Sequence, residues 1–355
     1  MKALDPRKER NPPTKGGFWK QGERQLALDC REQLFYSEAM PPANRKDPQR
    51  QASSESRYTL MDFQREYPDD EACLVALWRE RYSPDGEHAY CPAPSCKRER
   101  TFKRYATSQQ RQSWTCTACG HHLHPTAGTI FHKSSTSLRN WFYAMYLMTS
   151  TRCGISAKQV ERELGCNYKT ALRIMRKIRV YLMEQDADEM LRGEVEVDET
   201  YVGGVGHAYP KTSKDQKMSR KVPVLGMVER GGRVRAEVLP TLGRASATEV
   251  RPRVIENVKA HSTLYTDESG LYWGMNTSYF HHPINHGDKV YVRGDVHTQT
   301  IEGWFATVKN GLRGVFHGVS REWLQSYLNE YVFRYNHRKG PDPFLVLVAL
   351  AARPV

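Results

Sequence analysis

No run in the 355 residues comes near the roughly 20 consecutive apolar positions that a bilayer-spanning helix requires. The opening Met1-Lys2-Ala3-Leu4-Asp5-Pro6 lacks the apolar segment of a secretory signal. The expectation is a cytoplasmic protein with no membrane partner. Cysteine is also scarce, with eight in the chain, and four of these (Cys30, Cys73, Cys153 and Cys166) are scattered. A disulfide framework is not indicated at this length, and reduced thiols with one metal site fit better. Residues 1–57 lack any sustained apolar period and are rich in Arg, Lys, Gln, Pro and Ser, the composition of a disordered arm. An added flexible segment or a start codon placed upstream of the true one would each account for it.

Acidic residues are the third shortage. Between Lys97 and Glu184 there are 16 Lys or Arg against 4 Asp or Glu, a surplus of 12 that nearly equals the formal net charge of +13. Positive charge gathered in one quarter of a chain points to a nucleic-acid partner, because neutralised phosphates release counterions and so drive binding.

Four cysteines are arranged in pairs. Cys91-Pro-Ala-Pro-Ser-Cys96 is followed after 19 residues by Cys116-Thr-Ala-Cys119, with alternating segments around Phe102 and Trp114 between them. Two knuckles joined by a hairpin supply four thiolates in the tetrahedral arrangement Zn2+ prefers, with no open position, so Cys91, Cys96, Cys116 and Cys119 are read as a structural zinc site. His121, His122 and His124 read as surface or DNA-facing.

Helical patterns flank this ribbon. Met61 to Arg81 carries Cys73, Leu74, Leu77 and Trp78 on one face, and residues 138–150 form a Met- and aromatic-rich core helix. Ser156 and Gln159 offer a capping box for a short helix ending near Gly165. A second helix then runs from Cys166 to about Glu184. It has Leu172, Met175, Ile178 and Leu182 as its buried stripe and Lys169, Arg173 and Arg176 on another face. The pair reads as a helix-turn-helix whose basic second helix is the candidate DNA reader.

Carboxylates then come in distinct local contexts. Asp198 sits within the strand pattern Val195 to Val202, Asp267 ends a short strand from Ser262, and Glu302 opens a helical pattern from Thr300 to Leu312. Lys309 lies seven residues on, about two turns along the same face. Two further strands, at 222–228 and 234–239, are joined by the Gly231-Gly232 turn, and a helix spans about 247–260. Strand, strand, strand, helix, strand, helix is the order of an RNase H-like fold, in which the first and fourth strands are neighbours. Three acids so placed can hold two divalent ions over a phosphodiester, and Mg2+ (or Mn2+) suits hard oxygen ligands. Glu196, Glu199, Glu268 and Asp295 are rival acids. Each reads as an exposed charge or a supporting group, and Glu196→Gln is expected to cost far less than loss of any of the three.

The segments Glu196-Val-Asp-Glu-Thr-Tyr-Val-Gly-Gly204, Tyr265-Thr-Asp267, His297-Thr-Gln-Thr-Ile-Glu-Gly-Trp-Phe305 and Gly314-Val-Phe-His-Gly-Val-Ser320 resemble the DDE transposases of bacterial insertion sequences, specifically the ISXO-like group. The likeness covers about residues 60–340. Gln299 stands where the group more often has Asn, and Trp304-Phe305 reverses the usual aromatic order. The resemblance implies an α/β chain with an RNase H-like catalytic domain, an N-terminal zinc ribbon and a helix-turn-helix. Asp198, Asp267 and Glu302 would be its magnesium-binding catalytic acids, and Lys309 the basic residue that follows them. It also implies metal-dependent cleavage at element ends, strand transfer to target DNA, and a homodimer or larger assembly on double-stranded DNA. The expected organisation is a disordered basic arm at 1–57, a helix plus ribbon at 58–132, a helical DNA-binding region at 133–190, the catalytic domain at 191–340 and a C-terminal tail at 341–355. A decayed DNA-binding regulator and an RNase H-like nuclease without joining activity are the alternative readings.

Overall fold

The computed structural model describes residues 58–105, 112–184, 190–203, 220–284 and 298–355. The 1–57 arm, Cys30, Asp295 and nearly all of the loop from Gly203 to Arg220 lie outside the described residues.

The expected helix from Met61 to Arg81 is two helices, α1 (Leu60–Glu66) and α2 (Asp70–Arg81). Pro68 explains the break, since the residue before a proline is pushed out of helical geometry and the proline has no N–H to continue the ladder. Each new start is capped, Thr59 accepting from Asp62 N and Asp69 from Ala72 N. The ribbon follows as four antiparallel strands in sequence order: β1 (His88–Cys91), β2 (Arg98–Tyr105), β3 (Ser113–Cys116) and β4 (His122–Leu123). It docks on α2 through Trp78 and Trp114, whose rings stack at 4.6 Å and 2°.

Next come α3 (Leu138–Ser150), α4 (Ala157–Leu164) and α5 (Tyr168–Lys177), the last running on into a π-helical turn, Ile178–Leu182. Ser156 caps α4 by accepting from Gln159 N, but the Gln159 side chain turns to Glu163, so only half of the expected capping box forms. Ala171, Ile174, Met175, Ile178 and Leu182 are buried, whereas Leu172 is only partly so.

Residues 341–355, expected as a tail, instead carry a helix, α9 (Pro343–Ala351), whose start is held by Asp342 accepting from Phe344 N. Phe344, Leu347, Val348 and Ala351 join the core formed by α1 to α5 and the ribbon. An apolar run of this density has no stable exposed state, and burying side chains such as Phe344 and Leu347 contributes about 1.5–3 kcal/mol each.

The second layered unit is a five-stranded sheet made of β5 (Glu194–Val202), β6 (Val222–Glu229), β7 (Val234–Val238), β8 (Thr263–Asp267) and β9 (Phe280–Ile284). Its spatial order is β7-β6-β5-β8-β9, with β5, β6 and β7 antiparallel and β8 and β9 parallel to β5. This is the RNase H-like arrangement, with the first and fourth strands of the sheet side by side. The edge strand β9 was not foreseen, since Phe280-His-His-Pro-Ile284 lacks a strong alternating pattern. Helices α7 (Gln299–Gly314) and α8 (Arg321–Asn336) cover one face, and α6 (Ala247–Asn257) with the short turn Gly270–Tyr272 covers the other.

One glycine sets how closely α7 approaches. Gly226 pairs with Asp198 across β5 and β6, and a Cβ there would fall 2.5 Å from Phe305 Cζ and 2.8 Å from Ile301 Cδ1. Both partners belong to the helix that carries Glu302. The region around α5 is joined to this unit by a buried ion network. Arg179 Nε donates to Glu330 Oε2 at 2.6 Å, Arg334 Nη1 donates to Glu330 Oε1 at 2.7 Å, and the Arg179 guanidinium lies 4.0 Å from the Tyr327 ring centre.

Candidate active site

Parallel pairing of β5 with β8 matches Glu196 to Tyr265, and Asp198 and Asp267 each stand two residues beyond that pair. They meet where Asp267 closes β8 beside the middle of β5. Oxygens of Asp198, Asp267 and also Glu199 all lie within 4.8 Å of one another. Burial pushes the Asp198 carboxyl up to about 7, helped by repulsion from Glu199, Asp267 and Glu302. Glu199 is raised too, first by burial and then by Asp267, although Tyr272 Oη donates to it at 2.9 Å and works the other way. Tyr272 is fully buried, and that burial together with the surrounding acids keeps its phenol protonated. Hard oxygens that repel one another in a desolvated pocket fit a divalent cation.

Glu302, at the start of α7, is exposed and accepts from Thr298 Oγ1 at 3.0 Å. Its charge acts on Asp198, yet its carboxylate stands outside the close group of three. Lys309 is half-buried two turns along, its ammonium disfavoured by burial and by Arg313, while Asp198 opposes that shift. Glu199 was weighed only as a neighbour of Asp198. Alternation along a strand sends adjacent side chains to opposite faces, yet the Glu199 carboxylate, held by the buried Tyr272, comes within reach of both Asp198 and Asp267.

Of the two readings of Glu196, exposed charge or supporting group, the structure agrees with the second. It is 0% exposed and accepts from Arg230 Nε, Thr300 Oγ1, Thr300 N and Ile301 N at 2.8 to 3.0 Å. A solvated charge would tolerate neutralisation, but this one carries a buried hydrogen-bond set. Basic and amide side chains near the end of α8 are also committed internally. Arg334 holds Glu330 and Met148 O, Asn336 pairs with both Val234 N and O, and Arg338 donates to Gly232 O.

In the ribbon, the sulfurs of Cys91, Cys96, Cys116 and Cys119 lie within 4.8 Å of one another, with Cys91 Sγ and Cys119 Sγ at 3.5 Å. Tetrahedral Zn–S bonds of about 2.3 Å imply S···S edges of about 3.8 Å, so the thiols fit zinc. Cys116 is desolvated, yet N–H groups of Cys119 and Ala118 bring it down to about 7. Arg100 Nε points at Cys96 Sγ from 3.3 Å. On α5, Lys169 and Arg173 are exposed, whereas Arg176 is partly covered, its guanidinium 4.1 Å from the Trp323 ring centre. Among the described residues no helix is long and apolar enough to cross a membrane.

A sheet of this order with acids clustered on its adjacent strands β5 and β8 defines an RNase H-like domain of the nuclease and transposase class. Residues 190–336 match the model of the ISXO2-like transposase domain. A protein described as "Uncharacterized protein in transposable element ISH50" from Halobacterium salinarum is 31% identical over 261 residues, covering 69% of this chain and 84% of its own length. The chain belongs to the ISXO2-like transposase family. Among solved structures, the mariner Mos1 paired end complex with Mg is 13% identical, covers 59% of this chain and 78% of its own, and has a TM-score of 0.26. A pre-cleavage Mos1 transpososome is likewise 13% identical, with coverage of 60% and 79% and a TM-score of 0.24.

Proposed function

We propose that this transposase binds the ends of an insertion sequence, cuts the phosphodiester there and joins the freed 3'-hydroxyl to target DNA. The observation that carries the reading is the meeting of Asp198 and Asp267 on adjacent strands, with Glu302 at the start of α7 near enough for its charge to act on Asp198. Asp198, Asp267 and Glu302 would hold two Mg2+ or Mn2+ ions, with Glu199 close by. Bound there, such ions supply Lewis-acid stabilisation of charge on the attacked phosphate and favour ionisation of the attacking water.

The chain's own residues do the rest. Lys309, held half-buried near Asp198, is placed to meet a DNA phosphate. Lys169, Arg173 and Arg176 on α5 present a basic helix to duplex DNA, and Arg176 is preoriented by its stack on Trp323. The four thiols hold one Zn2+ and rigidify the ribbon ahead of this helix. Two element ends must be processed together, which calls for a dimer or larger assembly.

A supercoiled plasmid carrying the gene with its flanking DNA tests the proposal. Wild-type protein with Mn2+ should nick at the element boundaries and yield strand-transfer products, while Asp198→Asn, Asp267→Asn and Glu302→Gln should bind the ends without cutting. Wild-type activity in any of the three rejects that residue. Cutting with no joined product would make the protein a nuclease, and binding with no metal-dependent cutting would make it a regulator.

A further inference from the structure

All three expected acids stand two residues beyond a member of one buried network. Glu196 precedes Asp198 on β5, Tyr265 precedes Asp267 on β8, and Thr300 precedes Glu302 on α7. The Glu196 carboxylate is the hub. Its Oε1 accepts from Arg230 Nε at 2.8 Å and from Thr300 Oγ1 at 2.9 Å, and its Oε2 accepts from Thr300 N at 2.8 Å and from Ile301 N at 3.0 Å. Arg230 in turn lies 4.1 Å over the Tyr265 ring and donates to Glu194 Oε2 at 3.3 Å.

Helix α7 receives its cap from a distant strand. The first N–H groups of any helix need acceptors, normally supplied by the N-cap side chain to the second and third residues. Thr298 occupies that place but makes no side-chain cap. Glu196, 104 residues earlier in the chain, takes the N–H groups of Thr300 and Ile301 in its stead, and its charge opposes the positive end of the helix dipole. Thr298 is thereby released to donate its hydroxyl to Glu302 Oε1 at 3.0 Å.

We infer that Glu196, with Arg230 and Thr300, is a positioning device that fixes the spacing of Asp198, Asp267 and Glu302 for metal binding. The inference rests on the proposed metal-dependent function and adds residues that would touch neither metal nor DNA. Replacing Glu196 by Gln isolates the effect. A side-chain amide has only one acceptor oxygen, so in one orientation its NH2 faces the two helix N–H groups and in the other it faces Arg230 Nε. Either way a donor in a fully buried site loses its partner, and α7 loosens at the turn that carries Glu302.

The experiment measures Mn2+ binding by electron paramagnetic resonance, Mn2+ dependence of plasmid cleavage, and thermal unfolding on the full chain. Glu196→Gln should weaken Mn2+ affinity by about 10- to 100-fold, the range for groups supporting metal ligands, with cleavage partly recovered at high Mn2+. Glu330→Gln, which breaks an equally buried network on α8, controls for stability and should lower the melting temperature without moving the Mn2+ midpoint. Thr300→Val and Arg230→Met should each shift that midpoint in the same direction by less, and they read the same quantity if Glu196→Gln does not fold. An unchanged midpoint in the folded variants of this network, beside an active wild type, overturns the inference alone. A wild type that neither binds Mn2+ nor cuts overturns the proposed function and this inference with it.

Discussion

Four thiols between Cys91 and Cys119 and three carboxylates from Asp198, Glu199 and Asp267 pose one physical problem, ionisable groups of like charge brought within 4.8 Å of one another. The ribbon meets it locally. Its ligands lie within 29 residues on two turns of one antiparallel unit, which packs on α2 through the stacked Trp78 and Trp114 pair, Phe102 and the Glu71–Arg104 ion pair. The carboxylate site draws on parallel strand pairing, a glycine that admits α7, and a buried glutamate that caps it from another strand. A metal in the first site would supply much of the folding energy of its surroundings, whereas the second is framed by a packed sheet and helices that a metal would join.

Removing metal from each site gives the largest expected contrast. Structural zinc contributes about 10–16 kcal/mol in small thiolate modules, so Cys91→Ser or Cys116→Ser should unfold the ribbon and abolish bound zinc by elemental analysis. Withdrawal of Mg2+ should leave circular dichroism and the cooperative melt of the sheet intact. A ribbon that keeps its structure without zinc would erase the contrast. Cys73, Cys153 and Cys166 should be replaceable without loss of zinc.

Gly226→Ala probes the carboxylate site's dependence on packing. The added methyl meets Phe305 and Ile301 and must push α7 outward. Overpacking of this kind costs about 1–3 kcal/mol. Cleavage should fall much more steeply than stability, measured on the same preparation, because Glu302 rides on the displaced helix. Activity that tracks the melting temperature alone would show that α7 can re-seat.

The acid cluster should also give the metal-free protein a distinct pH response. With its pKa at about 7 against an ordinary 3.8, Asp198 binds a proton more tightly in the folded state than in the unfolded one. Its contribution therefore favours folding on the acid side and is lost as pH rises through about 7. The melting temperature of metal-free wild type should fall by a few degrees between pH 5.5 and 8 relative to Asp198→Asn, and Mg2+ should cancel part of that fall at pH 8. Equal pH dependence in the two proteins would mean that the cluster is not strained.

The smallest expected effect concerns α5. Arg173→Ala should reduce the slope of log affinity against log salt by about one unit for a lost phosphate contact. Arg176→Ala should do so together with a small loss of stability, because its stack on Trp323 goes too. Unchanged binding in the double variant would move DNA contact to the ribbon.

What could be read directly from the sequence was whatever depends on neighbours along the chain. The Cys91 to Cys119 knuckles, the Ser156 helix start, the Gly231-Gly232 turn and the strand and helix patterns around Asp198, Asp267 and Glu302 are all encoded within a few residues, since hydrogen bonds and apolar periods at that range are set by local geometry. Local pattern also suggested a tail after residue 340, although the apolar run at 343–351 was itself the sign of a buried helix. Tertiary structure alone decided the rest. Glu196 is an ordinary strand acid until Thr300 and Ile301 are brought to it across 104 and 105 residues. Likewise, Glu199 is only a neighbour of Asp198 until the fold sets its carboxylate beside Asp267 and the buried Tyr272 hydroxyl, and Gly226 is an ordinary strand glycine until α7 lies against it. Whether a carboxylate is solvated or buried against N–H donors depends on what packs over it, and that is a property of the assembled sheet and helices rather than of any segment read singly.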